Sequence, residues 1–348
     1  MRIVVAGGGS GGHLIPLLAV VERLRQRCDL DVVVVCGRRE AEMQAVRLFG
    51  ARTLHIGGDG RTRIRRLMQM FFPLLDARLL RCVAECSAVL TSGSYAAVAP
   101  TLAALLMRRP VFAVEPNAVP GRFTRFFAPV FRAVFRGWSG ASLGKQEVVT
   151  GVPLRRQMVR LGRVEARRRL GIPQGARVLL VLGGSQGSCA LNGFAMWLAP
   201  QLLRIFPKLF VLHAAGAEFE KVRAAYRRSA VACIVSRFCR RIWEWYSAAD
   251  AVLCRAGAST CAEVVTFGLP VVFVPHPGAL AHQRFNAQAA LQETKGTIVP
   301  QRRLAVDGVA AVVKALRTRK PKPCSRHLKA AATIAEKMMG TLYGGVAA

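Results

Sequence analysis

The chain has 348 residues, 52% of them apolar, and carries 51 Lys plus Arg against 19 Asp plus Glu, a formal net charge of +32. That length accommodates two domains of ordinary size, and that apolar content excludes a disordered chain. The charge admits phosphates, anionic lipid or nucleic acid as partners without choosing among them.

Short apolar strands alternate with helix-length segments, which predicts α/β architecture with parallel sheets. The N-terminus enters a strand directly at Arg2–Ala6, so no signal peptide is expected. The glycine turn Gly7-Gly8-Gly9-Ser10-Gly11-Gly12-His13 follows, then a helix over Leu14–Arg27. A strand, a glycine turn and a helix N-terminus together make an anion site, because glycine lets the backbone approach and the first helical N–H groups are unpaired. Further strands are predicted at Asp31–Cys36, Ala88–Leu90 and Val111–Val114, with helices near Arg39–Leu48 and Pro100–Met107. The uncharged run Cys86–Met107 contains Ser92, Gly93, Ser94 and Pro100, and reads as strand, turn and helix rather than a membrane span. Around Gly151-Val152-Pro153 the chain is expected to leave its first domain. A basic helix over Val164–Leu170 and the turn cluster Gly171–Gly175 lead into the second.

The second half repeats the scheme. Strands are predicted at Val178–Leu182, Phe210–His213, Cys233–Val235, Ala251–Cys254 and Val271–Val274. Helices are predicted near Leu191–Leu203, Phe219–Arg227, Ile242–Ser247, Thr260–Phe267 and Phe285–Gln292, with a last one near Ser325–Met339. A second glycine turn, Gly183-Gly184-Ser185-Gln186-Gly187, follows the first strand of this half. The resulting division is 1–155, 156–324 and a C-terminal helix in 325–348 that is open to packing back on the first domain. The ten scattered cysteines form no CxxC and read as reduced buried thiols of a cytosolic protein.

Two further segments carry chemistry. Arg255-Ala256-Gly257-Ala258-Ser259-Thr260-Cys261-Ala262-Glu263 follows a strand and opens a helix, so its first amides can hold a phosphate. Glu263, about one turn in, can accept two hydrogen bonds from a ribose diol, although an ordinary capped helix has the same look. After the next strand, His282, Gln283 and Asn286 stand together at a helix start, where amide and imidazole groups suit sugar hydroxyls.

With Gly7–His13, Gly183–Gly187, Arg255–Glu263, His282-Gln283 and Asn286 in this order, the chain resembles the MurG family, the N-acetylglucosaminyltransferases of bacterial peptidoglycan synthesis. Ser94-Tyr95, Glu115-Pro116-Asn117-Ala118-Val119-Pro120-Gly121 and Gly151-Val152-Pro153-Leu154-Arg155 extend the resemblance. It implies a GT-B fold, two Rossmann-like α/β domains with parallel sheets facing a central cleft. The activity implied is inverting transfer of GlcNAc from UDP-GlcNAc to the C4 hydroxyl of MurNAc in lipid I, giving lipid II.

On that resemblance Glu263 holds the ribose, while Ser185, Gln186 and the backbone at Ala258, Ser259 and Thr260 cradle the UDP part. Arg155 faces the phosphates, and Gln283, Asn286 and His282 read GlcNAc. A guanidinium there offsets charge on the departing UDP, so no divalent metal and no tightly bound cofactor are expected. The first turn, Gly8, Gly9, Ser10, Gly11 and Gly12, takes the diphosphate of lipid I. His13 is the candidate general base, its alternative being a loop-orienting histidine. Tyr95, Glu115 and Asn117 are assigned to the acceptor, with the choice between touching substrate and holding the loop open for Asn117. The chain departs from the family at Val152, where Asn is usual, at Pro116, where Gln is common, and at Ser10, where Thr is usual.

Arg61–Arg81 and Arg122–Arg136 mix arginines with Phe, Leu and Met, which suits an anionic bilayer surface. Core burial of the Phe residues is the competing reading. The family is peripheral on the cytoplasmic face of the membrane, where lipid I lies, and partners in cell-wall synthesis are open to it. Competing functions are another GT-B enzyme using a UDP-sugar, such as a lipid glycosyltransferase or a UDP-GlcNAc epimerase, and a basic nucleic-acid binder. No recognisable nucleic-acid motif is present, and no specific nucleic acid is expected. A dinucleotide-binding dehydrogenase would need an acid where the second strand ends in Cys36-Gly37-Arg38-Arg39.

Overall fold

A computed structural model describes residues 1–8, 11–37, 43, 46–47, 49–56, 72–184, 187–278 and 282–343. The chain divides into two compact units, Met1–Arg156 with Arg326–Ala348, and Gln157–Ser325.

In the first unit, β1 (Arg2–Ala6), β2 (Asp31–Cys36), β3 (Arg52–His55), β4 (Ala88–Thr91), β5 (Val111–Glu115), β6 (Ala133–Arg136) and β7 (Glu147–Val149) form one parallel sheet. Its strand order is β3-β2-β1-β4-β5-β6-β7. Among the described residues its helices include α1 (Gly11–Arg25), α2 (Ala77–Ala84), α3 (Tyr95–Leu106) and α4 (Arg122–Phe127), while the helix expected near Arg39–Leu48 lies mostly outside them.

In the second unit, α5 (Arg163–Arg169) leads into β8 (Arg177–Leu182), α6 (Cys189–Ile205), β9 (Leu209–Ala214), α7 (Phe219–Arg228), β10 (Ala232–Ser236) and α8 (Ile242–Ala248). There follow β11 (Ala251–Cys254), α9 (Ala258–Phe267), β12 (Val271–Phe273), α10 (His282–Leu291), β13 (Gly296–Ile298) and α11 (Leu304–Arg317). This sheet is also parallel, in the order β10-β9-β8-β11-β12-β13. The last helix, α12 (Arg326–Tyr343), belongs to the first unit.

Alternation along β1 explains why Ile3–Ala6 is apolar throughout. Ile3 and Val5 join Leu14, Leu17 and Leu18 of α1 and Ile334 and Met338 of α12 in one core. Val4 and Ala6 join Leu79 and Val83 of α2 and Ala96 and Ala99 of α3 in another. A strand covered on both faces has no polar side, so it reads as a continuous hydrophobic run.

Strands β3, β6, β7 and β13 and helices α2, α4 and α11 are not among the expected elements, and β6 lies inside the sheet with Val134, Phe135 and Arg136 buried. The edge strands β3, β7 and β13 are short and only partly buried, which leaves little hydrophobic signal. Helix α3 begins at Tyr95, not at Pro100, and carries that proline inside it. Helix α1 begins at Gly11, so the last two glycines of the first turn are already helical. Helix α11 was not expected; its Leu304, Val312, Ala315 and Leu316 complete the core of the second unit. Cys36, Cys86, Cys254 and Cys261 are buried, whereas Cys189 is exposed.

Two buried histidines make stability depend on pH. His213 is held between Tyr226 and Asn192, with Nδ1 2.8 Å from the tyrosine hydroxyl and Nε2 3.0 Å from Asn192 Oδ1. His327 Nδ1 accepts from the Val152 amide at 2.9 Å, and its ring packs on Trp138. Burial pushes each imidazole down to about 3, with the Arg326 charge assisting at His327. The unfolded chain takes up these protons near pH 6.5, and the folded chain does so only near the lowered values. Stability is therefore fully present above about pH 6.5 and falls as the pH drops toward 3. Melting temperature against pH should decline steadily below 6.5; a flat profile from pH 7 to 5 would contradict this.

Candidate active site

In both sheets the strand order reverses between two neighbouring central strands, β1 and β4 in the first and β8 and β11 in the second. Loops at the carboxyl ends of such strands diverge and leave a crevice where ligands bind in doubly wound folds. Gly7–His13 and Ser94-Tyr95 follow β1 and β4, and Gly183–Gly187 and Arg255–Glu263 follow β8 and β11, whereas the Glu115 loop follows β5, Gly151–Arg155 follow β7 and His282–Asn286 follow β12.

In the first unit, Gly11, Gly12 and His13 are the first three residues of α1. Gly7 is closely covered, since a Cβ there would lie 3.0 Å from Leu17 Cδ1 and 3.1 Å from Ser92 Oγ. Gly8 is buried in the turn; Gly9 and Ser10 lie outside the described residues. Half-buried His13 has Nδ1 3.1 Å from the Ser92 carbonyl, and Ser92 Oγ donates back to the His13 carbonyl at 2.7 Å. A carbonyl only accepts, so the ring proton sits on Nδ1 and Nε2 carries the lone pair. This is the tautomer in which Nε2 can take a proton.

Two residues on, Ser94 caps α3 with φ 147° and ψ 172°. That conformation is open chiefly to glycine, and strain of this kind collects at functional sites. Its Oγ is buried without a partner among the described residues. Tyr95 opens α3 and is half-buried.

The loop after β5 is built around Glu115, which is 2% exposed. Its carboxylate accepts from Asn117 N and Nδ2 at 3.1 Å each, from Gly121 N at 3.0 Å and from Thr124 Oγ1 at 2.6 Å. Trp138 Nε1 donates to the Pro116 carbonyl and Arg136 to the Ala118 carbonyl, so the loop is held from a second side. Glu115 thus shapes the loop that carries half-buried Asn117. Arg155 is half-buried near the end of this unit. Val152 is fully buried and abuts Gly137, where a Cβ would lie 2.5 Å from Val152 Cγ2; an apolar side chain suits that position.

In the second unit, β8 runs into the second glycine turn. Ser185 and Gln186 lie outside the described residues. Gly184 and Gly187 have φ of +90° and +79°, and a Cβ on Gly187 would lie 2.7 Å from the Ala215 carbonyl. The turn requires glycine on both counts. Ser188 then caps α6, its side chain accepting from Leu191 N.

Across the strand reversal, Gly257 caps α9, and Ala258, Ser259 and Thr260 are its first turn. Ser259 Oγ is buried without a partner among the described residues. Glu263 is half-buried and accepts from Tyr246 OH at 2.8 Å. Tyr246 is 1% exposed and stacks on Phe267. Burial and the neighbouring Glu263 hold its hydroxyl far above the usual tyrosine range, so it stays a donor and fixes the carboxylate. At the start of α10, His282 Nδ1 is buried and unpartnered among the described residues. Gln283 Oε1 accepts from His276 N at 2.9 Å, and Asn286 Nδ2 donates to the Ala256 carbonyl at 3.3 Å. Gln283 and Asn286 therefore brace the loops on either side of them.

Among the described residues, no group of three or more His, Cys, Asp or Glu is placed to hold a metal ion. Tyr246 was missed by sequence reasoning because nothing in its local spacing points to Glu263, 17 residues on.

The N-terminal domain of glycosyltransferase family 28 matches residues 3–136, and its C-terminal domain matches residues 178–342. A relative from Pelobacter propionicus is 34% identical over 342 residues, 90% of each chain. It is named a UDP-N-acetylglucosamine–N-acetylmuramyl-(pentapeptide) pyrophosphoryl-undecaprenol N-acetylglucosamine transferase. The crystal structure of Acinetobacter baumannii MurG is 25% identical with a TM-score of 0.71, over 97% of this chain and 98% of that one. The chain belongs to the MurG family. Its fold is GT-B, and the family resemblance extends over 90% of the chain in sequence and 97% in structure. A UDP-GlcNAc 2-epimerase from Neisseria meningitidis shares the fold at 13% identity, with a TM-score of 0.62 over 97% of this chain and 100% of that one.

Proposed function

We infer that this chain moves GlcNAc from UDP-GlcNAc to the C4 hydroxyl of MurNAc in lipid I, giving lipid II and UDP. The observation that carries the reading is the 34% identity, over 90% of each chain, with a relative named for that transfer. The site residues supply chemistry that fits it. His13 Nε2 takes the proton from the acceptor hydroxyl as its oxygen attacks the anomeric carbon, and the bond from that carbon to the UDP oxygen breaks with inversion. The leaving oxygen takes the electron pair, and the diphosphate lies on the second glycine turn and the first amides of α6 and α9. Ser185, Gln186 and Arg155 belong to the same diphosphate.

Glu263, steered by Tyr246, binds the ribose. His282, Gln283 and Asn286 border the sugar, with the Gln283 NH₂ left for a hydroxyl once its carbonyl holds His276 N. The first turn takes the acceptor diphosphate, and Tyr95 and Asn117 position the acceptor. Glu263→Ala should raise the KM for UDP-GlcNAc by about 10- to 100-fold, the loss of two charge-assisted hydrogen bonds, with the lipid I KM unchanged. An unchanged donor KM would remove Glu263 from this role. The epimerase alternative predicts release of a UDP-sugar epimer without any acceptor, a product that chromatography separates.

The acceptor is a lipid, and we assign the first unit's exposed apolar residues to an anionic bilayer surface. Leu75, Phe126 and Val130 are exposed, and Arg122, Arg125 and Arg132 are exposed beside the last two in sequence. Cationic heads beside apolar side chains suit such a surface. In Arg122–Arg136 the core reading also holds in part: Phe127, Phe131 and Phe135 are buried, and buried Arg136 pairs with Glu147. Residues 61–71 of the other segment lie outside the described ones. Among the described residues no helix is long and apolar enough to cross a membrane. Changing Leu75, Phe126 and Val130 together to Ser should lower sedimentation with vesicles of anionic phospholipid several-fold and leave UDP binding unaltered. Undiminished sedimentation would reject the assignment.

A further inference from the structure

Arg255 opens the strand-to-helix turn after β11 and is 7% exposed. Its Nη1 donates to the Val274 and Pro275 carbonyls at 3.1 and 3.3 Å. Its Nη2 donates to Ser188 Oγ at 2.7 Å and to Gln301 Oε1 at 2.6 Å. Its Nε is buried with no partner among the described residues. Every acceptor is neutral, and among the described residues no carboxylate pairs with this guanidinium. Burial accordingly lowers its pKa from the usual arginine value with no acid to oppose the shift.

A buried charge without a counter-charge is costly, and a bound ligand of opposite sign would relieve that cost. The surroundings specify that ligand. Ser188 is the N-cap of the 17-residue helix α6, so Arg255 lies one hydrogen bond from the helix end that follows the second glycine turn. Two residues beyond Arg255, Gly257 caps α9. Two helix N-termini and a buried guanidinium without a counter-charge among the described residues thus converge, each favouring a multiply charged anion.

We propose that Arg255 is the resident counter-charge of the donor diphosphate, a positioning residue that acts through Ser188 and the start of helix α6 that it caps. This rests on the assignment of the second glycine turn to UDP. The alternative is that Arg255 only ties together Ser188, the Val274–Pro275 segment and Gln301. The two differ in how an effect scales with ligand charge. A lost tie loosens the site for any nucleoside ligand, whereas a lost counter-charge is felt only by phosphate.

The test is titration of UDP, UMP and uridine into the wild type, Arg255→Gln and Arg255→Lys, followed by thermal shift and calorimetry. Arg255→Gln should weaken UDP by about 10- to 100-fold, UMP less, and uridine by less than about twofold, as expected for one unit charge at short range from an anion. Arg255→Lys keeps the charge but loses the fork, so it should retain most of the preference for UDP over uridine even if its melting temperature falls. Parallel weakening of all three ligands in either variant, or unchanged UDP affinity in Arg255→Gln, would overturn the proposal. Should the Gln variant not fold, the UDP-to-uridine ratio of the Lys variant decides. A wild type that binds UDP no better than uridine would overturn the donor assignment as well.

Discussion

Replacing His13 with alanine should lower kcat by roughly 10²–10⁴-fold, the usual contribution of a general base, with little change in UDP affinity. The expectation rests on one geometric fact. The Ser92 carbonyl accepts from Nδ1, so the lone pair belongs to Nε2, and the return bond from Ser92 Oγ to the His13 carbonyl fixes the segment that carries the ring. His13→Asn is the sharper variant. Its side-chain NH₂ can keep the bond to Ser92, yet an amide cannot accept a proton at neutral pH. A base therefore predicts that Asn is as poor as Ala. A loop-holding histidine predicts that Asn is close to wild type while Ala is impaired. Near-wild-type turnover of both variants would remove His13 from the mechanism.

Glu115→Ala should cost about 3–5 kcal/mol of stability, since hydrogen bonds to a charged group are worth about 1.5–3 kcal/mol each and buried donors are left unsatisfied. For a domain of this size that is a fall in Tm on the order of 10 °C. Four donors from Asn117, Gly121 and Thr124 converge on this carboxylate. Its loss frees the loop bearing Asn117, so the KM for lipid I should rise while the UDP-GlcNAc KM stays within about twofold. Differential scanning calorimetry and steady-state kinetics check the two halves. An unchanged Tm would mean that the loop does not depend on Glu115. A donor KM that rises as much as the acceptor KM would mean that the effect is general loosening.

The α/β fold was legible because central parallel strand runs such as Ile3–Ala6 and Val178–Leu182 are buried on both faces and must be apolar throughout. The edge strands β3, β7 and β13 have no such constraint, and Pro100 looked like a helix start although α3 begins five residues earlier. Glycine turns were legible for the same kind of reason. Gly184 and Gly187 adopt positive φ, a requirement that the residue type itself declares.

Relations between distant residues were not legible. Ser92 and His13 are 79 positions apart, and only the parallel pairing of β1 with β4 brings their loops together. Glu115 stood out as a carboxylate at a strand end, but the identity of its four donors depends on how residues 117–124 fold back. Arg255 lay in plain view before Gly257, yet its lack of a counter-charge is a property of burial and of Ser188, Val274, Pro275 and Gln301.

The central claim is that one sugar passes from a UDP donor to a lipid-linked acceptor. The most direct measurement is transfer of radiolabel from UDP-[¹⁴C]GlcNAc to a soluble lipid I analogue by the purified chain. The account predicts a labelled disaccharide lipid, a β-linked product of inversion, and loss of that product in His13→Ala. Label that stays in the nucleotide-sugar fraction as an epimer, or that transfers equally well to a polyprenyl phosphate lacking MurNAc, would contradict it.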